Sequence, residues 1–251
     1  MTTNKAIIWS SIWIASAILF SIVLGKFYSP YIAMEFLSCY AVEKMLSFDN
    51  LLMFYVIFRY FNSSNEQQRK ALNVGLYSAF ALRAIMIFSG GFLLHQYSWL
   101  SYLFGGFLLY SGGQLLINSG DEPEPPEKMI NFIRTKMPWI SYFGVIVCAV
   151  ELTDVLFALD SIPASFGVSG NPIVIFSANV FAILGLRSLY FIMQNLIKRF
   201  VYLEQGVAVI LALVGIRMLL EGWFNISISY LFAAISVILI TVMFFSNNKD
   251  E

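Results

Sequence analysis

The chain has 251 residues, of which 59% are apolar, 17% aromatic and only 12% charged. This composition excludes an ordinary soluble domain, in which about 25% of the residues carry a charge. The formal net charge is zero, so the basic surface of a nucleic-acid-binding protein is missing and no nucleic-acid partner is expected. Cys39 and Cys148 lie in apolar stretches without metal-ligand spacing and are interpreted as small hydrophobic residues.

Eight apolar stretches are long enough to cross a bilayer, whose core of about 30 Å needs roughly 20 helical residues. They cover residues 6–25, 33–58, 71–94, 97–118, 140–163, 172–196, 201–220 and 226–246. The sequence therefore predicts an all-α polytopic membrane protein in which residues 1–251 form one transmembrane domain within the lipid bilayer. A Pro-rich, acidic linker at 119–138 separates four spans at 6–118 from four spans at 139–251.

Lys and Arg residues are distributed unevenly among the predicted connections. If the N-terminus is inside, ten of them fall on the cytoplasmic side and one, Lys26, falls outside. Cytoplasmic connections of membrane proteins carry such an excess of Lys and Arg. Both termini and the linker 119–138 are therefore predicted to be cytoplasmic.

Two units of three spans share a sequence pattern. An acid followed six residues later by an acid and a polar residue occurs in the second and fifth spans, as Glu43-Asp49-Asn50 and Asp154-Asp160-Ser161. A Leu-Arg pair recurs in the third and sixth spans at Arg83 and Arg187, and a Gly-x-polar-x-Leu pattern recurs in the fourth and seventh. Units of three spans run in opposite directions through the membrane, so spans 2–4 and 5–7 are predicted to form an inverted repeat.

Acidic residues lie near the middle of the predicted spans, where each would cost about 2.5 to 3.5 kcal/mol if it faced lipid. Five acids and three cations have such positions: Glu43, Asp49, Glu151, Asp154 and Asp160, with Lys44, Arg83 and Arg187. Two negative charges remain after pairing, and a site with oxygen ligands suits a divalent cation such as Mn2+, Mg2+ or Ca2+. We predict that the five acids, Asn50 and Ser161 bind the metal and that the three cations are their charge partners. The alternative is that the acids only pair with these cations and that the remainder are protonated.

Straight helices cannot direct all these oxygens to one site. Glu151 and Asp160, for example, lie about 180° apart around a helix. Pro163 is therefore predicted to break the fifth span and to free the carbonyl of Leu159, with Gly167 and Gly170 continuing the irregular segment.

Three strings resemble signatures of the TerC family of bacterial membrane proteins: VEKMLSFDNLLMF, VELTDVLFALDSIPASF and IVIFSANVFAILGLRSLYF. The resemblance implies a protein of the bacterial inner membrane, grouped with cation exporters of the LysE type and associated with manganese export, tellurite resistance and the response to alkaline pH. It places the family's acidic motifs on the predicted ligands, and its third string contains Asn179 and Arg187. Longer members carry a further span before the first one, so this chain is expected to be a shortened form.

The predicted function is therefore export of a divalent metal cation, in particular Mn2+, by a protein that is not an enzyme and has no cofactor. One alternative is a non-transporting membrane factor that delivers metal to secreted enzymes or supports tellurite resistance through the linker. An intramembrane hydrolase with paired aspartates is disfavoured, because the acids are too many and no GxGD signature accompanies them. The driving force and the oligomeric state stay open.

Overall fold

The computed structural model describes residues 3–117, 126–196, 202–220, 222–224 and 226–247. These residues form helices and short connections, and no strand occurs among them. The helices are α1 (Thr3–Phe27), α2 (Pro30–Tyr60), α3 (Asn65–Gln96), α4 (Leu100–Ile117), α5 (Glu127–Lys136), α6 (Tyr142–Val168), α7 (Pro172–Leu196), α8 (Leu203–Leu220) and α9 (Ile228–Asn247). The predicted all-α class is confirmed.

All helices except α5 overlap the predicted apolar stretches. Five of them, α1, α3, α4, α6 and α7, contain segments long and apolar enough to cross a membrane. Helix α2 has 31 residues, about 46 Å at 1.5 Å per residue, but its sequence includes five charged side chains. The number of eight spans and the inverted repeat stay predictions.

Serine residues fix where three of these helices begin. The side chains of Ser29 and Ser141 accept hydrogen bonds from backbone N–H groups in the first turns of α2 and α6. Ser64 and Gln67 form a reciprocal capping box at the start of α3. Such caps satisfy backbone donors that have no partner within the helix.

Helix α6 continues through Pro163 to Val168, so the predicted break at this proline is wrong and Gly167 lies inside the helix. The residues from 161 to 168 are all buried. Arg217 of α8 donates from Nη1 to the carbonyl of Gly167 and, over 3.3 Å, to that of Val168. A cation at a helix C-terminus satisfies carbonyls that lack intrahelical donors. Packing and this cap therefore maintain the helix although Pro163 removes one backbone hydrogen bond.

Helices α2 and α3 both pack against α6 and α7, and α4 packs along α8. Two apolar clusters lie at different levels along these helices. One includes Phe36 of α2 and Ile162 of α6, and the other includes Ile57 of α2 and Ile146 of α6. On α6, Asp154 lies between the two clusters, since Val150 belongs to the second cluster and Ala158 to the first.

The predicted linker contains the amphipathic helix α5. The side chains of Ile130 and Ile133 in α5 are buried, and the helix packs against α6. Met129 Sδ lies 3.8 Å from Thr153 Oγ1 of α6. Residues 118–125 lie outside the described part of the chain.

Glycines allow α4 and α8 to cross at close range. A Cβ atom on Gly105 would lie 2.9 Å from the carbonyl oxygen of Gly215, and one on Gly215 would lie 2.8 Å from that of Gly105. A Cβ atom on Gly112 would lie 2.8 Å from the carbonyl oxygen of Ala208. Small residues at such crossings let membrane helices gain van der Waals contact.

We expect Gly112→Ala to lower the free energy of unfolding in detergent by about 1 to 3 kcal/mol, because the added methyl group forces the two backbones apart. Gly113→Ala is the matched control, because a Cβ atom there meets nothing within 4 Å. Thermal unfolding of the two variants measures the difference. Equal melting temperatures for both would contradict the close crossing.

The orientation predicted from the Lys and Arg residues places Ser98 and Thr135 on opposite sides of the membrane. Ser98, in the connection between α3 and α4, should be outside, and Thr135 of α5 should be cytoplasmic. Both residues are exposed. Ser98→Cys should react with an impermeant thiol reagent from outside intact cells, and Thr135→Cys only after the cells are opened. Labelling of both from the same side would refute this topology.

Candidate functional site

Arg83 of α3 lies at the centre of the helices and is 1% exposed. Its Nη1 pairs with Oε1 of Glu43 on α2 and donates to Oδ1 of Asn179 on α7 at 2.5 Å. Its Nη2 lies 3.7 Å from Oδ1 of Asp154 on α6. One guanidinium group therefore connects α2, α3, α6 and α7.

The partners of Arg83 are themselves buried and oriented. Glu43 is 0% and Asp154 6% exposed. The amide nitrogen of Asn179 donates to the carbonyl of Ile175 in its own helix, 3.1 Å away, which leaves the amide oxygen to face Arg83. Charges buried this deeply are tolerated only when paired and hydrogen-bonded.

Pairing with Arg83 leaves several buried oxygens unused. Among the described residues, Oε2 of Glu43, Oδ2 of Asp154 and Oε1 of Glu151 have no hydrogen-bond partner. The same holds for Oγ of Ser47, Oδ1 of Asn50 and Oγ of Ser161. Roughly 90% or more of buried polar groups in proteins are satisfied. Such a concentration of free oxygens therefore indicates a place for a cation or for bound water.

A small cavity adjoins the Arg83 group. Its volume is about 20 Å³ and its lining includes Gly75, Arg83, Glu151 and Asp154. This volume is sufficient for one particle the size of a water molecule. When ionised, Glu43, Glu151 and Asp154 carry three negative charges against the one positive charge of Arg83, so a cation in this cavity would meet a favourable potential.

Asp160 belongs to a second polar group. Ser111 Oγ of α4 donates to Asp160 Oδ1 over 2.9 Å. Asn50, Ser111, Gln114 and Asp160 line one cavity of about 280 Å³. Asp160 also lines a cavity of about 700 Å³, together with Glu127 and other residues at the start of α5.

Lys44 is directed towards α7. Its Nζ donates to the carbonyl of Ala182 over 3.0 Å and lies 5.6 Å from the ring centroid of Tyr40. A Cβ atom on Gly185 would lie 2.6 Å from this nitrogen, so the glycine leaves room for the ammonium group. The side chains of Asp49 and Arg187 lie outside the described part of the chain.

The predicted ligands are thus distributed over two places. Glu43 and Asp154 pair with Arg83 and Glu151 lines the small cavity beside it, whereas Asn50 and Asp160 line the 280 Å³ cavity. Within the described side chains, no three His, Cys, Asp or Glu residues are grouped closely enough to hold a metal ion. The structure therefore places these oxygens in separate groups and not in one compact cage.

Sequence reasoning missed Ser111. A single serine in an apolar helix is common and carries no signal of its own. Its position directly before Gly112, in the pattern shared by the fourth and seventh spans, is the feature that could have drawn attention to it.

Comparison with known proteins identifies a family profile and several related membrane proteins. Residues 28–250 match the profile described as integral membrane protein TerC family. A protein of Escherichia coli (strain K12), provisionally named membrane-bound redox modulator Alx, is 34% identical over 91% of this chain and 80% of the relative. A Salmonella typhi protein of the same name is 33% identical over 100% of this chain and 88% of the relative. An uncharacterized membrane protein of Myxococcus xanthus is 36% identical over 86% of this chain and 73% of the relative. No solved structure matches the chain.

We expect Arg83→Met to destabilise the protein by about 3 to 5 kcal/mol, because it leaves Glu43 and Asp154 buried without their cation. The matched control is Lys70→Met. Lys70 pairs with Glu66 at 2.8 Å on the surface of α3, with side chains 65% and 72% exposed, so its loss should change stability by less than about 1 kcal/mol.

Thermal unfolding in detergent, together with the amount of protein inserted in the membrane, measures both variants. Adding Glu43→Gln and Asp154→Asn to Arg83→Met should restore much of the loss, since the uncompensated charges disappear. An Arg83→Met protein as stable as the Lys70→Met control would contradict this role of the guanidinium.

Proposed function

Since this chain belongs to the TerC family of integral membrane proteins, we propose that it exports a divalent metal cation, Mn2+ in particular, from the cytoplasm across the bacterial inner membrane. The observation that carries the proposal is the set of buried oxygens that remain after Arg83 is paired, above all on Glu43, Glu151 and Asp154. Carboxylate, amide and hydroxyl oxygens are the ligands that Mn2+, Mg2+ and Ca2+ prefer. The choice of Mn2+ among them comes from the family resemblance.

The cavities support a route to these oxygens. Glu127 and Lys128 of α5, which belong to the predicted cytoplasmic linker, line the 700 Å³ cavity together with Asp160. In this proposal a cation that enters from the cytoplasm meets Asp160 before it reaches the carboxylates at Arg83. The surplus negative charge draws the cation inward, and Arg83 prevents the site from binding it too tightly for release.

The name of the Alx relatives supports a second candidate, in which the protein modulates the redox state at the membrane. Its thiols would be Cys39 and Cys148, both of which are free. Cys39 Sγ lies 3.8 Å from the carbonyl of Ser165 on α6. Cys148 precedes Ser165 by 17 residues on the same helix, which separates the two thiols by about 25 Å. This separation is too great for a disulfide between the two cysteines of one chain, so a redox role could not use such a bond.

Metal flux separates export from the redox candidate and from a non-transporting factor that delivers metal or supports tellurite resistance. Purified protein in liposomes should move Mn2+ down an imposed gradient. A factor that only docks or delivers should produce no flux. Cells that lack the protein should accumulate more cytoplasmic manganese under manganese stress.

We expect Asp160→Asn to abolish Mn2+ flux in liposomes while the protein still inserts, because the change keeps the size of the side chain and removes its charge. Asp49→Asn should have the same effect, since the sequence pattern makes Asp49 the counterpart of Asp160. Glu66→Gln removes a carboxylate on the surface of α3 and should transport as the wild type does. Normal flux in both Asn variants would refute the carboxylate mechanism.

A further inference from the structure

A serine on α4 completes a polar site beside Asp160. Ser111 Oγ donates to Asp160 Oδ1, and both side chains line the 280 Å³ cavity together with Asn50 of α2. Three helices, α2, α4 and α6, therefore contribute oxygen-bearing side chains to the same space, and α4 adds Tyr110 and Gln114 to Ser111.

Asn50 gives an independent indication that this space receives a ligand. The residue is 2% exposed, lines the cavity, and its Oδ1 has no hydrogen-bond partner among the described residues. A buried amide oxygen without a donor is unfavourable, because it has lost its hydrogen bond to water. A cation, or a water molecule bound to one, would satisfy this oxygen.

Helix packing holds Ser111 in place. The next residue, Gly112, approaches α8 so closely that a Cβ atom would lie 2.8 Å from the carbonyl oxygen of Ala208. Rotation of α4 about its axis would break this contact. Val207 and Leu211 of α8 form part of the apolar wall of the same cavity. The hydroxyl group is therefore presented to Asp160 by a rigid pair of helices.

The cavity beside Asp160 is large enough to hold water around its polar side chains. A carboxylate that faced lipid at this depth would be costly, and Asp160 also borders the 700 Å³ cavity that reaches α5. A volume of 280 Å³ accommodates an ion with several of its waters, each of which takes about 30 Å³ in the liquid. The cavity at Arg83, with about 20 Å³, accommodates a single particle.

We propose that Asp160, Ser111 and Asn50 form a loading site for a partly hydrated divalent cation, separate from the carboxylates at Arg83. Ser111 is a ligand that sets the specificity of this site. The inference rests on the proposed export function. It adds that the cation exchanges part of its water shell for these three oxygens before it enters the small cavity at Arg83.

The test uses Ser111→Ala and Ser111→Cys in the full-length protein. Mn2+ binding is measured in detergent from the electron paramagnetic resonance signal of free Mn2+, and Cd2+ is the competing ion. Ser111→Ala should weaken Mn2+ binding roughly 10- to 100-fold, as is typical when a ligand or its hydrogen-bonding partner is removed. Ser111→Cys should increase the preference for Cd2+ over Mn2+ by about tenfold or more, because a thiolate is a softer ligand than a hydroxyl.

Ser236 of α9 supplies the matched control. Its hydroxyl donates to the carbonyl of Phe232 in its own helix, 2.8 Å away. The helix contributes no residue to the described lining of the 280 Å³ cavity. Ser236→Ala and Ser236→Cys should leave both the Mn2+ affinity and the Cd2+ preference unchanged. A change of metal preference in Ser111→Cys alone identifies a ligand, since a merely structural role would not alter it.

The outcomes for the loading site and for export are distinguishable. If Ser111→Ala and Ser111→Cys bind Mn2+ and Cd2+ as the wild type does, the loading site is wrong, whatever the flux in liposomes. If the substitutions change binding as expected and the wild type shows no Mn2+ flux, the site stands and the export function is wrong. If Ser111→Ala fails to fold, Ser111→Cys decides the question, because it is nearly isosteric and its readout is a ratio of two metals.

Discussion

The contact of Arg83 with its carboxylates is the interaction on which the rest of the structure depends. A guanidinium group that is 1% exposed cannot be stable in the middle of a membrane protein unless anions reach it from several sides. Glu43 and Asp154 supply the anions and Asn179 a neutral acceptor. Because these residues lie on three different helices, satisfying Arg83 also fixes how α2, α6 and α7 are arranged around α3. The ion pairs of Arg83 therefore help to specify how the four helices are arranged.

The same contact divides the acidic residues into two kinds. The carboxylates at Arg83 are neutralised only in part, so in the proposed function they attract a cation less strongly than they would without the guanidinium group. Asp160 has a hydroxyl partner, Ser111, and borders two cavities. Among the described side chains, Asp160 is therefore an acid that a hydrated ion could approach through a cavity large enough for its waters. The proposed export function needs both properties, because a site that captures an ion must also release it.

Sequence reasoning could predict the helices and the pairing of Arg83 with mid-span acids, since both follow from what lipid excludes. Long apolar runs have to be helical, and acids in the middle of them need partners. It could not predict that Pro163 lies within a continuous helix, because the compensating cap comes from Arg217, 54 positions later in the sequence. Nor could it predict that Ser111 faces Asp160, because this depends on how α4 crosses α8. Features set by tertiary contacts leave no local pattern.

The predicted repeat would account for a helix crossing that is symmetric although the side chains beside it are not. With Gly112 aligned on Gly215, Gly105 falls on Ala208 and Ser111 falls on Val214. The contact of Gly112 with Ala208 then corresponds to that of Gly215 with Gly105, as a two-fold axis in the membrane plane requires. The serine has no hydroxyl counterpart in α8, so Asp160 has a donor that the equivalent position cannot offer to Asp49. Under the predicted repeat, two halves that share one packing scheme present different ligands, and in the proposed export function an ion would bind on one side of the pseudo-symmetry axis before the other.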